Sequence, residues 1–285
     1  MSAAAAVQPR MSGFTLDQRD FAQVAALVYK EAGIVLPAGK MQLVNSRLGK
    51  RLRARGLERF ADYLALVEKD PEERQQAIDA LTTNHTKFFR EQHHFEHLAA
   101  DVWPKLSRKL DQGGRVRIWS AACSSGEEPY TLLMTLLGGD RGAASRLRSQ
   151  DFQMLATDIS REVLHTARAG RYPAASMEGT PASLRHWMKP SGDQMEMDPA
   201  VRGLVSFRPL NFLDPWPMKG KFDVIFCRNA MIYFDEPTKA QLQSRFGDQM
   251  VPEGTLYIGH SERLCGPAAD RFKPIGQTIY RKVKA

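Results

Sequence analysis

Apolar residues recur at helical spacing from Phe14 to about Leu110, and Gly and Pro cut the run into short amphipathic pieces. Over TLDQRDFAQVAALVYKEAG, Phe21, Val24, Ala25 and Val28 share one face, with Thr15 opening the segment as a cap and Gly33 closing it. After Pro37, KMQLVNSRLGKRLRARGLERF carries Leu43, Leu48 and Leu52 near one stripe and basic residues over the remainder. ERFADYLALVEKD and PEERQQAIDALTTN read as two more helices, the second with Pro71 in its first turn and acids at the positive end of the dipole. The pattern predicts a frayed tail over 1–13, an all-α domain over 14–90 and a linker helix over 91–114.

The period changes after Gly113-Gly114. RVRIW (115–119) is a short strand, SAACSSG a loop of small residues, and Glu127-Glu128-Pro129 opens a helix through YTLLMTLLG. FQMLAT (152–157) is a second strand ending at Asp158, followed by a helix that Gly170 stops. Strand alternating with helix predicts a mostly parallel sheet over 115–285. Residues 172–206, broken by Pro173, Pro181, Pro190 and Pro199, interrupt it as a small inserted β-subdomain. VSFRPL, KFDVIFCRN and GTLYIGHSE are further strands, and QTIYRKV a last one that pairs antiparallel at or near an edge.

Composition narrows the partners. The formal charge of +8 favours something acidic, whether nucleic acid, an anionic membrane or an acidic protein. Between Lys40 and Arg59 basic residues outnumber acidic ones seven to one. Three scattered cysteines, Cys123, Cys227 and Cys265, suggest neither a disulfide framework nor a zinc cluster, which suits a reducing cytoplasm. No stretch approaches the roughly 20 apolar residues of a membrane span.

In an open parallel sheet ligands collect beyond the carboxyl ends of the strands. Ala121 to Gly126, Asp158, Asn211 and Arg228-Asn229 all stand there. Small residues admit a ligand close to the backbone, and an acid after the second strand is a hydrogen-bond acceptor for ribose hydroxyls, so a nucleoside is the expected guest. A dinucleotide fits less well, because the first loop lacks GxGxxG and Glu127-Glu128 put negative charge where a pyrophosphate would need bare amides. Those acids suit an amine or a sulfonium, as in S-adenosylmethionine, although acids at a helix start also serve the macrodipole.

TTNHTKFFRE (82–91), WSAACSSGEEPY (119–130), ATDIS (156–160), FRPLNF (207–212), FDVIFCRNAMIYF (222–234) and GHSE (259–262) closely resemble the bacterial chemotaxis receptor methyltransferases, the CheR family, over nearly the whole chain from Phe14. The resemblance implies a Rossmann-like class I methyltransferase domain behind an all-α domain, and methyl transfer from S-adenosylmethionine to receptor glutamates, releasing S-adenosylhomocysteine, without a metal. It implies a cofactor site of Asn84, Thr86, Arg90, Glu128, Asp158, Asn211, Phe212, Arg228 and Asn229. Small departures fall at Cys123, Ser125 and Ser160. The implied partners are the cytoplasmic methylation helices of transmembrane chemoreceptors, with the protein cytoplasmic beside them.

A glutamate is already an anion at neutral pH, so displacement at the methyl group needs alignment and desolvation more than a general base. Arg90 and Tyr233 are the expected catalytic residues. Arg90 is read as a positioning group for either the acceptor carboxylate or the cofactor's own carboxylate. Tyr233 is read as a hydrogen-bond donor to the acceptor or a surface for the sulfonium, against the plainer reading of a core aromatic. Arg47, Lys50, Arg51, Arg53 and Arg55 are expected to steer and register the receptor helices, against the plainer reading of a solvated face.

The insertion at 172–206 offers a strand edge to a receptor tail peptide but looks short for it. His93 and His97 share a helical i, i+4 face without HExxH or a third ligand, and Cys123 and Cys227 read as packing residues. A nucleic-acid methyltransferase is the main alternative, weakened because CRNAMIYF lacks an NPPY-type motif. A non-catalytic adenosylmethionine-binding adaptor is the other.

Overall fold

The computed structural model describes residues 14–283, so the predicted tail at 1–13 lies outside the described residues. The chain divides into two compact units after Thr82, with Ala32–Ile34 counted in the second. The boundary falls eight residues before the predicted one, because the segment leading to Arg90 bonds to the sheet unit, as Ser124 Oγ does to the carbonyl of Asn84.

The first unit is built from α1 (Gln18–Ala32), α2 (Met41–Ala54), α3 (Phe60–Lys69) and α4 (Pro71–Leu81). Phe21, Val24 and Val28 of α1 and Leu48 and Leu52 of α2 are buried, as their spacing predicts, while Ala25 and Leu43 of the same faces are half-buried; Tyr63 and Val67 of α3 are buried with them. Asp70 caps α4 by accepting from the amides of Glu72 and Glu73 at 2.9 and 3.2 Å, ahead of Pro71 at N1. This start fixes Glu73, whose side chain is fully buried. Arg51 grips it with Nε and Nη2 at 3.0 and 2.7 Å, Arg55 Nε donates at 2.5 Å and Tyr63 Oη at 2.8 Å. Arg47 Nη1 donates to the last carbonyls of α4, those of Ala80, Leu81 and Thr82, at 3.3, 3.2 and 2.7 Å. Three of the five arginines and lysines assigned to a receptor thus have work inside the unit. Lys50 and Arg53 stay exposed, Arg53 lying over the Phe14 ring at 5.4 Å.

The second unit begins with α5 (His93–His97), a π turn (Leu98–Val102) and α6 (Trp103–Asp111). The π turn precedes Pro104, which has no N–H to continue the α ladder. Then come β1 (Val116–Ala121), α7 (Glu127–Leu137), α8 (Ala143–Ser149), β2 (Phe152–Asp158), α9 (Arg161–Ala169), β3 (Arg171–Pro173), β4 (Met188–Ser191), β5 (Gln194–Met197), α10 (Pro199–Arg202), β6 (Val205–Pro209), β7 (Phe222–Cys227), α11 (Glu236–Asp248), β8 (Met250–Ile258), β9 (Phe272–Gly276) and β10 (Ile279–Lys282).

Seven strands form one sheet in the order β6-β2-β1-β7-β8-β10-β9, and β3-β5-β4 form the small antiparallel sheet of the insertion. The first five strands are mutually parallel, so Ala121, Asp158, Pro209, Cys227 and Ile258 end at one edge. The chain leaves β1 toward β2 and β6, then returns on the other side as β7, which places the switch point between β1 and β7. Apolar clusters cover both faces; Phe222–Cys227 are all buried, as a strand covered on both sides requires.

The last predicted strand is β10, which pairs antiparallel with β8 and β9 near the edge as expected, one place inside β9. FKPIG escaped the pattern because Pro274 and Gly276 interrupt its alternation, and a proline is tolerated on the edge strand where β9 sits.

Candidate active site

Backbone strain marks the strand-end edge. Five of the seven non-glycine residues with positive φ among the described residues are Phe89, Glu91, Ala122, Ser124 and Asn229, all at or beside the loops just named. Such conformations cost of order 1–3 kcal/mol each and persist where surrounding contacts impose them. After β1, Cys123 N donates to the Thr157 carbonyl at 2.9 Å and Ser124 N to Asp158 Oδ2 at 2.8 Å. Ser160 N holds Oδ1 of the same carboxylate at 3.0 Å, so Asp158 is oriented at the end of β2 by backbone amides from two loops.

Glu127 and Glu128 are both buried at the start of α7. Glu128 accepts from Ser120 Oγ and from Arg228 Nε, each at 2.7 Å. Ser125 Oγ bonds Glu127 at 2.7 Å, but burial dominates and pushes that carboxyl above its usual range.

Arg228 is the hub. Only 3% of its side chain is exposed; Nη1 donates to the Arg90 carbonyl at 2.5 Å, and the guanidinium lies over the Phe95 ring at 5.1 Å. The same Nη1 is 3.2 Å from Nδ1 of His94, which makes that nitrogen an acceptor and leaves Nε2–H to donate to Thr278 Oγ1 at 3.0 Å. Burial first, then the Arg228 charge, lowers His94 to about 3, so the imidazole stays neutral.

The turn after β7 is pinned by Glu262. Oε2 accepts from Asn229 N and Gly259 N at 3.1 and 2.6 Å, and Oε1 from Met231 N and Ile232 N at 2.8 and 3.2 Å. Burial still outweighs the four amides and raises its carboxyl above the usual range. A short 3-10 turn, Met231–Tyr233, carries Tyr233 out of this staple half-buried.

The other expected residues fall on the same edge. Arg90 is half-buried and Nη1 donates to the His85 carbonyl at 2.9 Å, while Asn84 and Thr86 are half-buried in the same segment. Asn211 Oδ1 accepts from Leu213 N at 3.1 Å, directly after the Leu210 amide has bonded the Asp158 carbonyl at 2.9 Å. Phe212 leans on Phe246 at 5.8 Å, and Arg245 donates to its carbonyl from above the Trp216 ring.

Four side chains of this network, Glu91, His94, His260 and Glu262, escaped sequence reasoning as individuals. Their segments, FFRE, the histidine-rich start of α5 and GHSE, carry no spacing that announces a role. The histidines serve packing: His97 Nδ1 meets Tyr257 Oη at 2.8 Å and His93 Nε2 the Gln277 carbonyl at 3.3 Å. Among the described residues no group of three metal-ligating side chains comes together. Cys123 and Cys227 are fully buried, and burial pushes both thiols well up.

The donor set fits S-adenosylmethionine. An oriented acid stands at the end of β2 for a diol, and the buried acids Glu127 and Glu128 at the start of α7 suit an amine or sulfonium. The acids around the β1 loop disfavour a pyrophosphate.

Comparison with known proteins agrees with the geometry. Residues 84–281 match the family described as CheR methyltransferase, SAM binding domain, and residues 19–82 match CheR methyltransferase, all-alpha domain. The chain is 45% identical over 262 residues to a probable chemotaxis protein methyltransferase of Rhizobium etli, covering 90% of this chain and 96% of that one. It is 41% identical to chemotaxis protein methyltransferase 2 of Pseudomonas aeruginosa, covering 94% of each, and 40% identical to the chemotaxis protein methyltransferase of Escherichia coli, covering 93% and 91%.

Proposed function

This chain belongs to the CheR family of SAM-dependent chemotaxis methyltransferases, and on that footing we propose that it methylates glutamate side chains on the cytoplasmic methylation helices of transmembrane chemoreceptors. The products are a glutamate methyl ester and S-adenosylhomocysteine, and the role is adaptation in chemotaxis signalling, with the enzyme cytoplasmic beside its receptor. Among the described residues no helix is long and apolar enough to cross a membrane.

The observation that supports this reading best is the convergence on Arg228. One buried guanidinium joins the Arg90 segment, the Glu128 carboxylate that opens α7, and the end of β7 that continues into Tyr233. Residues drawn from separate motifs of the family thereby share one cleft edge. Bound S-adenosylmethionine supplies an electrophilic methyl on a sulfonium. Asp158 and Glu128 orient the donor, Arg90 positions a carboxylate, and Tyr233 offers a hydroxyl to the acceptor. The acceptor arrives ionised, so none of these residues needs to remove a proton.

The test is one labelled-methyl assay offering a receptor cytoplasmic fragment, tRNA and DNA in parallel. Base-labile label on the receptor is expected; label on nucleic acid alone would overturn the proposal. A receptor tail peptide on the β3-β5-β4 sheet is a separate proposal, judged by calorimetric titration, in which absence of heat at millimolar peptide removes it.

A further inference from the structure

Glu91 makes an arrangement that the cofactor site does not require. Its side chain is 10% exposed, its backbone is held at φ 59°, and Oε1 accepts from Asn229 Nδ2 at 3.1 Å and from His260 Nδ1 at 3.0 Å. Oε2 is buried without a hydrogen-bond partner, 3.5 Å from His94 Nδ1 and 3.7 Å from Arg228 Nη1. Burial pushes the Glu91 carboxyl up, but the His260 hydrogen bond, the Arg228 charge and the Asn229 amide together hold it below its usual range. The groups facing this anion are therefore Arg228 from the end of β7, neutral His94 from α5 and His260 from the turn after β8.

His260 differs from the rest of the network in facing outward, with 58% of its side chain exposed. Its place is fixed from behind. Glu262 Oε2 binds the amides of Asn229 and Gly259 together, and a Cβ on Gly259 would lie 2.5 Å from Asn229 Nδ2, so the two turns touch. A histidine whose Nδ1–H is held by a buried carboxylate has a set ring orientation and an outward Nε2. Tyr233 leaves the same stapled turn.

An acceptor glutamate entering this edge meets the negative charge of Glu91, Glu128 and Asp158, and the repulsion must be offset without blunting the nucleophile. A bidentate arginine clamp would stabilise the ground state and slow attack; a single donor on the non-attacking oxygen would not. We propose that Glu91 and His260 form a dock for the acceptor carboxylate, in which the ring, held by Glu91 at Nδ1, turns its outward Nε2–H to the oxygen that is not methylated. No proton is exchanged: the methyl leaves the sulfonium for the other oxygen, and His260 keeps its hydrogen. The ester product carries no charge, so the dock discriminates substrate from product and favours release. This inference rests on the glutamate reading above.

Steady-state methylation of a receptor cytoplasmic fragment is compared for the full-length wild type, His260→Ala, His260→Gln and Glu91→Gln, alongside the Kd for S-adenosylmethionine. Loss of one charge-assisted hydrogen bond predicts a receptor KM raised roughly ten- to a hundred-fold in His260→Ala. Cofactor Kd should stay within about twofold, and His260→Gln, which retains a donor, should recover part of the loss. Glu91→Gln keeps an oxygen for Asn229 Nδ2 but removes the charge beside His260, and should raise receptor KM. An unchanged receptor KM in His260→Ala overturns the dock, and so does a loss carried entirely by cofactor Kd. A second readout needs no receptor: in the S-adenosylhomocysteine-loaded wild type, the His260 imidazole resonances should shift with N-acetylglutamate α-methylamide and not with N-acetylglutamine α-methylamide. Equal response to both overturns the dock. A wild type that shifts with the acid yet methylates no receptor fragment would retire the receptor reading alone.

Discussion

At the scale of single residues, His94 ties stability to pH. Its pKa is lowered from 6.5 to about 3, chiefly by burial and then by the Arg228 charge, so the unfolded chain takes up a proton that the folded chain refuses. Stability from this group is complete above the unfolded pKa and declines as pH falls from about 6.5 toward 3. The expected loss is roughly 2 kcal/mol between pH 6.5 and 5. Urea unfolding at several pH values checks it: His94→Gln should be less stable at pH 7 but flatter with pH, and an equal slope in both proteins would contradict the assignment. Tyr233 and Arg90 call for a different measurement. Tyr233→Phe should lower kcat by about tenfold or more with cofactor Kd unchanged, the cost of one hydrogen bond to a charged group. Arg90→Ala should raise cofactor Kd if its fork serves the donor and receptor KM if it serves the acceptor, and no change in either would remove it from the site.

At the scale of elements, what was legible and what was not divides along backbone conformation. The strand–loop–helix units, the small-residue loop after β1 and Asp158 at the end of β2 were readable because side-chain periodicity and residue size report on them. Left-handed Ala122 and Ser124 were not, since nothing in those residue types announces a positive φ. Glu262 was hidden for a related reason: its partners are backbone amides, which every residue but proline offers. β9 was lost to its own Pro274 and Gly276, and the inward tasks of Arg47, Arg51 and Arg55 were lost because a basic stripe looks alike whether it meets water or a buried acid. The touching turns after β7 and β8 give a sharp test. In Gly259→Ala the new Cβ would sit 2.5 Å from Asn229 Nδ2 and 2.7 Å from Asn229 N, so Asn229 must move. A stability loss of about 1–3 kcal/mol is expected from the overpacking, with cofactor affinity weakened several-fold by calorimetry. Wild-type affinity would show that Asn229 holds no part of the cofactor.

At the scale of the whole molecule, net charge is a poor guide to which basic residues are free to meet a partner. The +8 excess includes Arg51 and Arg55, both committed to a fully buried Glu73, while Lys50 stands exposed on the same helix. Charge reversal therefore separates folding from docking. Arg51→Glu sets a second acid against Glu73 and should cost about 3–5 kcal/mol of stability, as breaking a buried ion pair does. It should lower the melting temperature whether or not a receptor is present, which makes it a test of the helical unit and not of recognition. Among the described residues Lys50→Glu touches no ion pair, and it should change stability by less than about 0.5 kcal/mol. If the exposed part of the stripe steers acidic receptor helices, Lys50→Glu should raise receptor KM at low salt, and the difference from wild type should shrink as ionic strength rises toward 0.5 M because exposed charges are screened. Cofactor Kd should not move. Equal KM for the two proteins at low salt would assign the stripe to solvation, and the receptor would then have to be recognised by the strand-end edge alone.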